Sequence, residues 1–182
     1  MTRKDFFECC AAGTCGCGAM LALASPSAQA AENNSEIDAL NRKVDFMRAK
    51  FAKLVELIQK TVDEPSRVRL WEALGRDHGK DYRTLAERYK GDVPGFLAEI
   101  QKQWVAKAEY DPVAGTIRIV DKSPVCTCPF VDVKQTPPEF CNCTLGWQKE
   151  VYSVVMARPV EASVEESILR GGTRCIFRIR AA

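Results

Sequence analysis

The sequence has only one histidine, and this scarcity excludes several kinds of site. His78 stands alone among 182 residues, so metal or haem centres held by two or more imidazoles are excluded. A single histidine near the end of a predicted helix is typical of contact with the negative end of the helix dipole. The chain also lacks a glycine-rich phosphate loop and a Ser-His-Asp arrangement, so neither that nucleotide site nor that hydrolytic triad is predicted.

A large excess of either charge is also missing. The chain has 26 Lys and Arg against 24 Asp and Glu, which gives a formal net charge of +2. Nucleic-acid binding needs a concentrated basic face, so that partner is not predicted. No segment provides the roughly 20 strongly apolar residues of a membrane-spanning helix, so no stable membrane span is expected.

The first thirty residues have the three parts of an export signal. A basic start at Arg3 and Lys4 is followed by an uncharged stretch from Cys9 to Ala30, which ends in the small-residue sequence Ala28-Gln29-Ala30. This pattern predicts a cleaved export signal over residues 1–30, with the export machinery as a partner and the mature chain beginning after Ala30.

The opening from Thr2 to Phe7 resembles a twin-arginine export signal, with Lys4 where the second arginine normally stands. The resemblance implies a periplasmic protein that folds, and binds any cofactor, before export. The general secretory route is the alternative.

Residues 31–104 form the predicted helical half of the mature domain. Ser35 and Asp38 make a capping signal for a helix over 35–62. Apolar residues then recur at spacings of three and four, at Ile37, Leu40, Val44, Met47, Phe51, Leu54 and Ile58. This stripe packs either against its own domain or along a second copy in a homodimer, since three heptads suffice for a coiled-coil seam. Shorter helices are predicted over 65–77, over 81–89 and from Pro94 to Trp104.

Residues 105–182 form the predicted cysteine-containing α+β half of the same domain. Alternation on both sides of the turn residues 111–115 predicts a hairpin. An extended loop follows, and Thr136, Pro137 and Glu139 form a helix start that predicts a helix to about Ala157.

A second hairpin is predicted at the end of the chain, with Gly171-Gly172 as its two-residue turn. This turn pairs Ile168 with Cys175 and Glu166 with Phe177, which places Glu166 in an apolar face beside Cys175. A buried carboxylate is costly unless it is paired, protonated or bound. Glu166 is therefore either a structural ion-pair partner, the anchor of a ligand pocket, or an acid/base with a raised pKa.

Five of the nine cysteines lie beyond the predicted signal. Cys126 and Cys128 point to the same side of an extended segment. Cys141 and Cys143 face nearly opposite ways on a regular helix, so at most one of them joins a site unless the helix start is irregular. Cys141 is the better placed, and the helix dipole is expected to lower its thiol pKa.

Three states of these cysteines are open. Cys126, Cys128, Cys141 and Cys175 together suit tetrahedral zinc or an iron–sulfur cluster. Disulfides could instead join Cys126 or Cys128 to Cys141 or Cys143 in an oxidising compartment. Free or reactive thiols are the third state.

The carboxyl-terminal part of the chain resembles a known superfamily. The resemblance lies in Cys126–Phe130, Phe140–Cys141, Gly146–Trp147, Val164–Ser167 and Gly171–Phe177. These segments resemble the 4-vinyl reductase-like small-molecule-binding domains, whose relatives include the methanogen output domain and the L-2-amino-thiazoline-4-carboxylic acid hydrolase family.

The resemblance implies an α+β domain in which amino-terminal helices and an antiparallel sheet, with one helix between hairpins, enclose a pocket. Cys128, Cys141, Glu166 and Cys175 are expected near that pocket. The second Cys-x-Cys pair and the export signal depart from the superfamily's pattern.

Three functions follow from these features. The preferred one is an exported binding protein whose cysteine-lined pocket holds a metal or a small molecule. The alternative is a cysteine-dependent hydrolase of a C–N bond in a small heterocycle, with Cys141 or Cys175 as nucleophile and Glu166 as acid/base. The third is a structural domain stapled by disulfides.

Overall fold

The computed structural model describes residues 26–182, with side chains described from Asn33 onward. The predicted export signal falls mostly outside these residues, as do four cysteines. The chain divides into two units between Asn41 and Arg42, and the fold and the site below belong to Arg42–Ala182. No described helix is both long and apolar enough to cross a membrane.

In the part of the chain that the structure describes, four helices precede the sheet. They are α1 (Pro26–Thr61), α2 (Glu64–Gly79), α3 (Arg83–Arg88) and α4 (Val93–Gln103), with a 3-10 turn at Lys80–Tyr82 before α3. The side chains of Asp63 and Asp92 accept hydrogen bonds from the backbone N–H of Ser66 and Gly95, which fixes the starts of α2 and α4. The predicted cap at Ser35 is wrong, because α1 begins at Pro26.

The second half is a four-stranded antiparallel sheet with one helix inserted. Strands β1 (Val105–Asp111) and β2 (Thr116–Asp121) form the first hairpin, α5 (Asn142–Val155) follows, and β3 (Val160–Glu166) and β4 (Ile176–Ala181) complete the sheet. The strand order is β1-β2-β4-β3. The fold is therefore α+β, as the sequence predicts.

The start of α5 differs from the predicted capping box. Pro138–Cys141 forms a 3-10 turn, and α5 begins only at Asn142. The Thr136 hydroxyl accepts a hydrogen bond from the Asp132 backbone N–H, 3.1 Å away, instead of capping the helix. Glu139 accepts bonds from Arg67 and Trp71 of α2, so its carboxylate joins the 3-10 turn to α2.

Two apolar clusters make up the interior. The larger packs α4 and α5 against the inner face of the sheet and includes Phe96, Ile100, Ile117, Tyr152 and Ile179, all nearly inaccessible to solvent. The loop between β2 and the turn before α5, residues 122–137, is called the cysteine loop. The smaller cluster joins α1, α2 and this loop around Val55, Trp71, Val131, Phe140 and Leu169. The outer face of the sheet bears the ion pairs of Glu165 with Arg118 and Arg178.

Candidate functional site

A pocket lies where the end of β2 meets the end of α4 and the segment before β4. Its volume is about 350 Å³, within the range of small-molecule sites. The lining residues are Gln103, Trp104, Asp121, Lys122, Ser123, Val125, Thr127 and Cys175. Five of these belong to the stretch 121–127, so the start of the cysteine loop forms most of the wall.

Backbone hydrogen bonds hold this wall in place. The N–H of Asp121 donates to the Cys175 carbonyl at 3.0 Å, and the N–H of Lys122 donates to the Trp104 carbonyl at 2.8 Å. The Arg174 guanidinium donates to the Lys122 carbonyl at 2.8 Å. These hydrogen bonds therefore hold the pocket wall against both the end of α4 and the segment before β4, which favours a preformed pocket.

Asp121 is the carboxylate of the pocket. Burial raises its pKa to about 6, because removal from water disfavours the charged form. Among the described residues, no donor to this carboxylate lowers that pKa. The negative charge of Asp121 also raises the pKa of the buried Tyr152 hydroxyl, which places the two groups near each other. Asp121 is thus a partly buried acid that forms no ion pair with a described residue.

Trp104 supplies the aromatic wall. Its ring packs edge-to-face against Tyr82 and Trp147, with centroids 6.1 Å apart in each pair. Tyr82 and Trp147 are in turn 5.1 Å apart. This triad restricts the orientation of the Trp104 indole. The buried Nε1 of Trp147 has no hydrogen-bond partner among the described residues.

Cys175 is the one predicted site cysteine that lines this pocket. Its side chain is partly buried, and burial raises its thiol pKa, with the charges of Asp121, Cys126 and Cys141 acting in the same direction. The thiol is therefore neutral at ordinary pH, where it offers a weak donor and a polarisable surface rather than a strong nucleophile.

The other four cysteines surround the smaller apolar cluster. Cys126, Cys128, Cys141 and Cys143 all pack against it. The irregular 3-10 start of α5 lets both Cys141 and Cys143 reach this cluster, as the sequence allowed for an irregular start. All five cysteines of the described chain are free thiols.

The predicted lowering of the Cys141 pKa is wrong. Cys141 stands at the amino end of α5, but burial raises its pKa more than its surroundings lower it. Its Sγ lies 3.5 Å from the hydroxyl of Ser167, which is 1% exposed. Burial likewise raises the pKa of Cys143 to about 11.

The structure does not gather the four cysteines of the predicted metal centre into one group. Among the side chains described from Asn33 to Ala182, no three or more His, Cys, Asp or Glu are arranged to hold a metal ion. Cys175 packs against the larger cluster, whereas Cys126, Cys128 and Cys141 pack against the smaller one. Zinc and iron–sulfur ligation by this set therefore has no support from the geometry.

The predicted environment of Glu166 is also wrong. The final hairpin has no two-residue turn, because Ile168–Arg170 forms a 3-10 turn between the strands. A register shift between Val164 and Glu166 leaves Glu166 opposite Ile176. Its carboxylate accepts bonds from the Thr173 N–H at 2.6 Å and the Arg174 N–H at 3.2 Å. These donors lower its pKa. Glu166 therefore stabilises the loop between β3 and β4.

Sequence reasoning missed Asp121, although the signal was present. Ile117, Ile119 and Asp121 fall on one face of β2, and the first two are fully buried. The alternation that wrongly buried Glu166 in β3 correctly directs Asp121 inward from β2.

Comparison with known proteins gives a weak likeness to two solved structures. A trafficking protein particle complex subunit 3 from Naegleria fowleri, covalently bound to palmitic acid, matches with a TM-score of 0.49 and 17% identity, over 78% of this chain and 96% of that chain. The phenol-responsive sensory domain of the transcription activator PoxR, with phenol, matches with a TM-score of 0.49 and 14% identity, over 74% of each chain.

No protein family and no curated protein matches the chain. The resemblance to the 4-vinyl reductase-like domains therefore stays a prediction. At such low identities and TM-scores, the function of the site must follow from the residues of this chain.

Proposed function

We propose that the protein is an exported small-molecule-binding protein whose ligand occupies the pocket at the end of β2. The observation that carries the proposal is a cavity of about 350 Å³ whose wall includes Asp121, a partly buried carboxylate that forms no ion pair with a described residue. A small-molecule pocket typically combines apolar walls with a few polar groups that orient the ligand, and Asp121 is such a group in this pocket. The signal-like residues 1–30 support the periplasm as the place of action.

Binding is favoured over cysteine-dependent hydrolysis. A hydrolase needs a thiolate and a nearby proton donor or acceptor. Burial raises the pKa of both Cys141 and Cys175, and the carboxylate of Glu166 is occupied by loop N–H groups. These features oppose the catalytic roles predicted for the three residues. Cys175 instead contributes to the lining of a binding site.

The test uses protein purified from the exported fraction, whose amino terminus is expected at Ala31. Native mass spectrometry should reveal a bound small molecule or, after loading with periplasmic extract, a discrete mass increase. Thr127→Trp should abolish this increase, because Thr127 is an exposed residue of the pocket wall and an indole at its position would fill the cavity.

Lys134→Trp is the matched control, since Lys134 is exposed in the same loop but does not line the pocket. The control should bind like the wild type. Equal binding by Thr127→Trp and wild type would place the ligand elsewhere and refute the proposed site.

A further inference from the structure

The charged side chains around the pocket differ in whether they already have hydrogen-bond partners. Asp121 contributes a carboxylate to the wall, while the two cations beside it are held by backbone oxygens. Lys122 Nζ donates to the Lys102 carbonyl at 3.1 Å, and Arg174 Nη1 donates to the Lys122 carbonyl at 2.8 Å. Neither contact uses the Asp121 carboxylate. The Asp121 carboxylate, which no described cation pairs with, is thus available to a bound molecule.

We propose that the pocket selects a small organic cation, such as a protonated amine, amidine or guanidine with an apolar or aromatic body. Its N–H groups donate to Asp121, and its body packs against Trp104. The inference rests on the proposed function, because it names the ligand class of that same site. No cation of the described chain forms an ion pair with the Asp121 carboxylate, and that is the contact the ligand would make.

The physical basis is the desolvation of the carboxylate. An ionised carboxylate removed from water needs a counter-charge with good hydrogen bonds, and charge-assisted bonds to an ammonium or guanidinium supply both. The Trp104 ring, restricted by its contacts with Tyr82 and Trp147, provides an aromatic surface for an apolar body or for a cation–π contact. Val125 adds apolar area at the wall.

The proposal predicts the sign of a pH dependence. Asp121 must be ionised to attract the cation, so affinity should rise as pH increases through about 6 and fall about tenfold per unit below it. The other ionisable or charged groups around Asp121 are Lys122, Arg174, Cys175 and Tyr152. Burial raises the pKa of both the thiol and the phenol.

The experiment compares three probes that share a ring and differ in charge: benzylamine, benzyl alcohol and benzoate. Isothermal titration calorimetry on ligand-free mature protein at pH 7.5 should show binding of benzylamine in preference to the other two. At pH 5 the affinity for benzylamine should be about tenfold lower. Larger amines, phenethylamine and tryptamine, extend the panel to the size of the cavity.

Variants separate the charge of Asp121 from general effects. Asp121→Asn should weaken amine binding about tenfold or more, because it removes the charge while keeping the shape. Lys122→Gln should strengthen it, since a positive charge leaves the wall. Asp45→Asn, on the exposed side of α1, removes the same charge away from the pocket lining and should leave affinity unchanged.

Each contrary outcome is informative. Preference for the alcohol or benzoate, or affinity for amines that rises as pH falls, would overturn the cation inference while leaving a binding pocket. Failure of all amines in the panel to bind would also overturn it. The proposed function itself fails by a different result, namely that the Thr127→Trp variant still retains the endogenous ligand.

Discussion

At the scale of single residues, two acidic side chains show what sequence can and cannot predict. Alternation correctly places every second residue of a strand on one face, but it does not reveal where the strand ends. Because β3 ends at Glu166 and a 3-10 turn follows, that carboxylate bonds to loop N–H groups. In β2 the alternation continues to the last residue, so Asp121 lies on the same face as the buried Ile117 and Ile119 and is itself partly buried. The position of each residue in its strand, rather than its type, therefore determines the surroundings of these two carboxylates.

Asp121→Asn should change the pH dependence of stability in a defined way. The pKa of Asp121 is about 6 in the folded protein and near 4 when unfolded, so its ionisation opposes folding as pH rises between these values. The variant should match the wild type below about pH 4 and exceed it by about 1–3 kcal/mol above pH 7. Urea unfolding of ligand-free protein at pH 4 and pH 8 measures the difference.

A variant less stable than the wild type at pH 8 would mean that the carboxylate has a stabilising partner. It would then remove the reason to expect a cationic ligand. The comparison is made between variant and wild type because lowered carboxyl pKa values elsewhere, such as that of Glu139, stabilise the protein as pH rises.

At the scale of elements, α2 and α5 pack at a distance that only glycine permits. A Cβ on Gly146 would overlap the Glu72 carbonyl oxygen, and a Cβ on Gly75 would overlap the Cys143 carbonyl oxygen. Each helix thus presents a glycine to the backbone of the other. This contact positions Cys141 and Cys143 beside α2 and the smaller cluster, and nothing in the helical periodicity of the sequence predicts it.

Gly146→Ala should destabilise the fold by about 1–3 kcal/mol or more, because the helices must separate to admit the methyl group. Thr144→Ala, two residues earlier in α5, is the control and should have a smaller effect. Thermal unfolding followed by circular dichroism measures both. Equal melting temperatures for Gly146→Ala and wild type would show that the contact is looser than described.

The apolar stripe of α1 is only partly used by its own domain. Phe51 and Ile58 pack against the smaller cluster, whereas Met47 is 61% exposed and Leu54 is 50% exposed. The prediction that the stripe packs against its own domain therefore holds for one side of the stripe. The homodimer stays a prediction for the other side.

If the exposed side mediates dimerisation, the protein should sediment as a dimer, and Met47→Lys with Leu54→Lys should make it monomeric. Stability within the monomer should change little, since both side chains are half exposed or more. Sedimentation equilibrium over a range of concentrations decides the matter. A monomeric wild type at every concentration would rule out this dimer.

At the scale of the whole molecule, the helical half, the first hairpin and the α+β class follow from local signals. The predicted helix starts near residue 65 and at Pro94 and the predicted turn over 111–115 depend on short-range features, and the structure has two helices and a turn at these places. The pocket depends on contacts between β2, α4 and β4, which are distant in the sequence. Contacts between segments that are distant in the sequence leave no local pattern from which they could be predicted.

The cysteines allow a test that covers the whole chain. The structure has five free thiols in the described part, so mature protein unfolded in the presence of an alkylating agent should gain five labels by intact mass. A strong chelator should leave its melting temperature unchanged, because no metal-holding group is formed there. Fewer labels, restored to five by prior reduction, would instead establish disulfides.

The strand order has a consequence for how this protein comes into being. The two neighbours of β4 are β2 and β3, so β2 keeps one edge open while the ribosome makes the cysteine loop, α5 and β3. An unpaired edge is prone to pair with other chains, and closing it requires joining distant segments, which is slow. Since Asp121 and Cys175 are brought together only by that closure, the pocket proposed as the ligand site forms in a nascent chain only once β4 is in place.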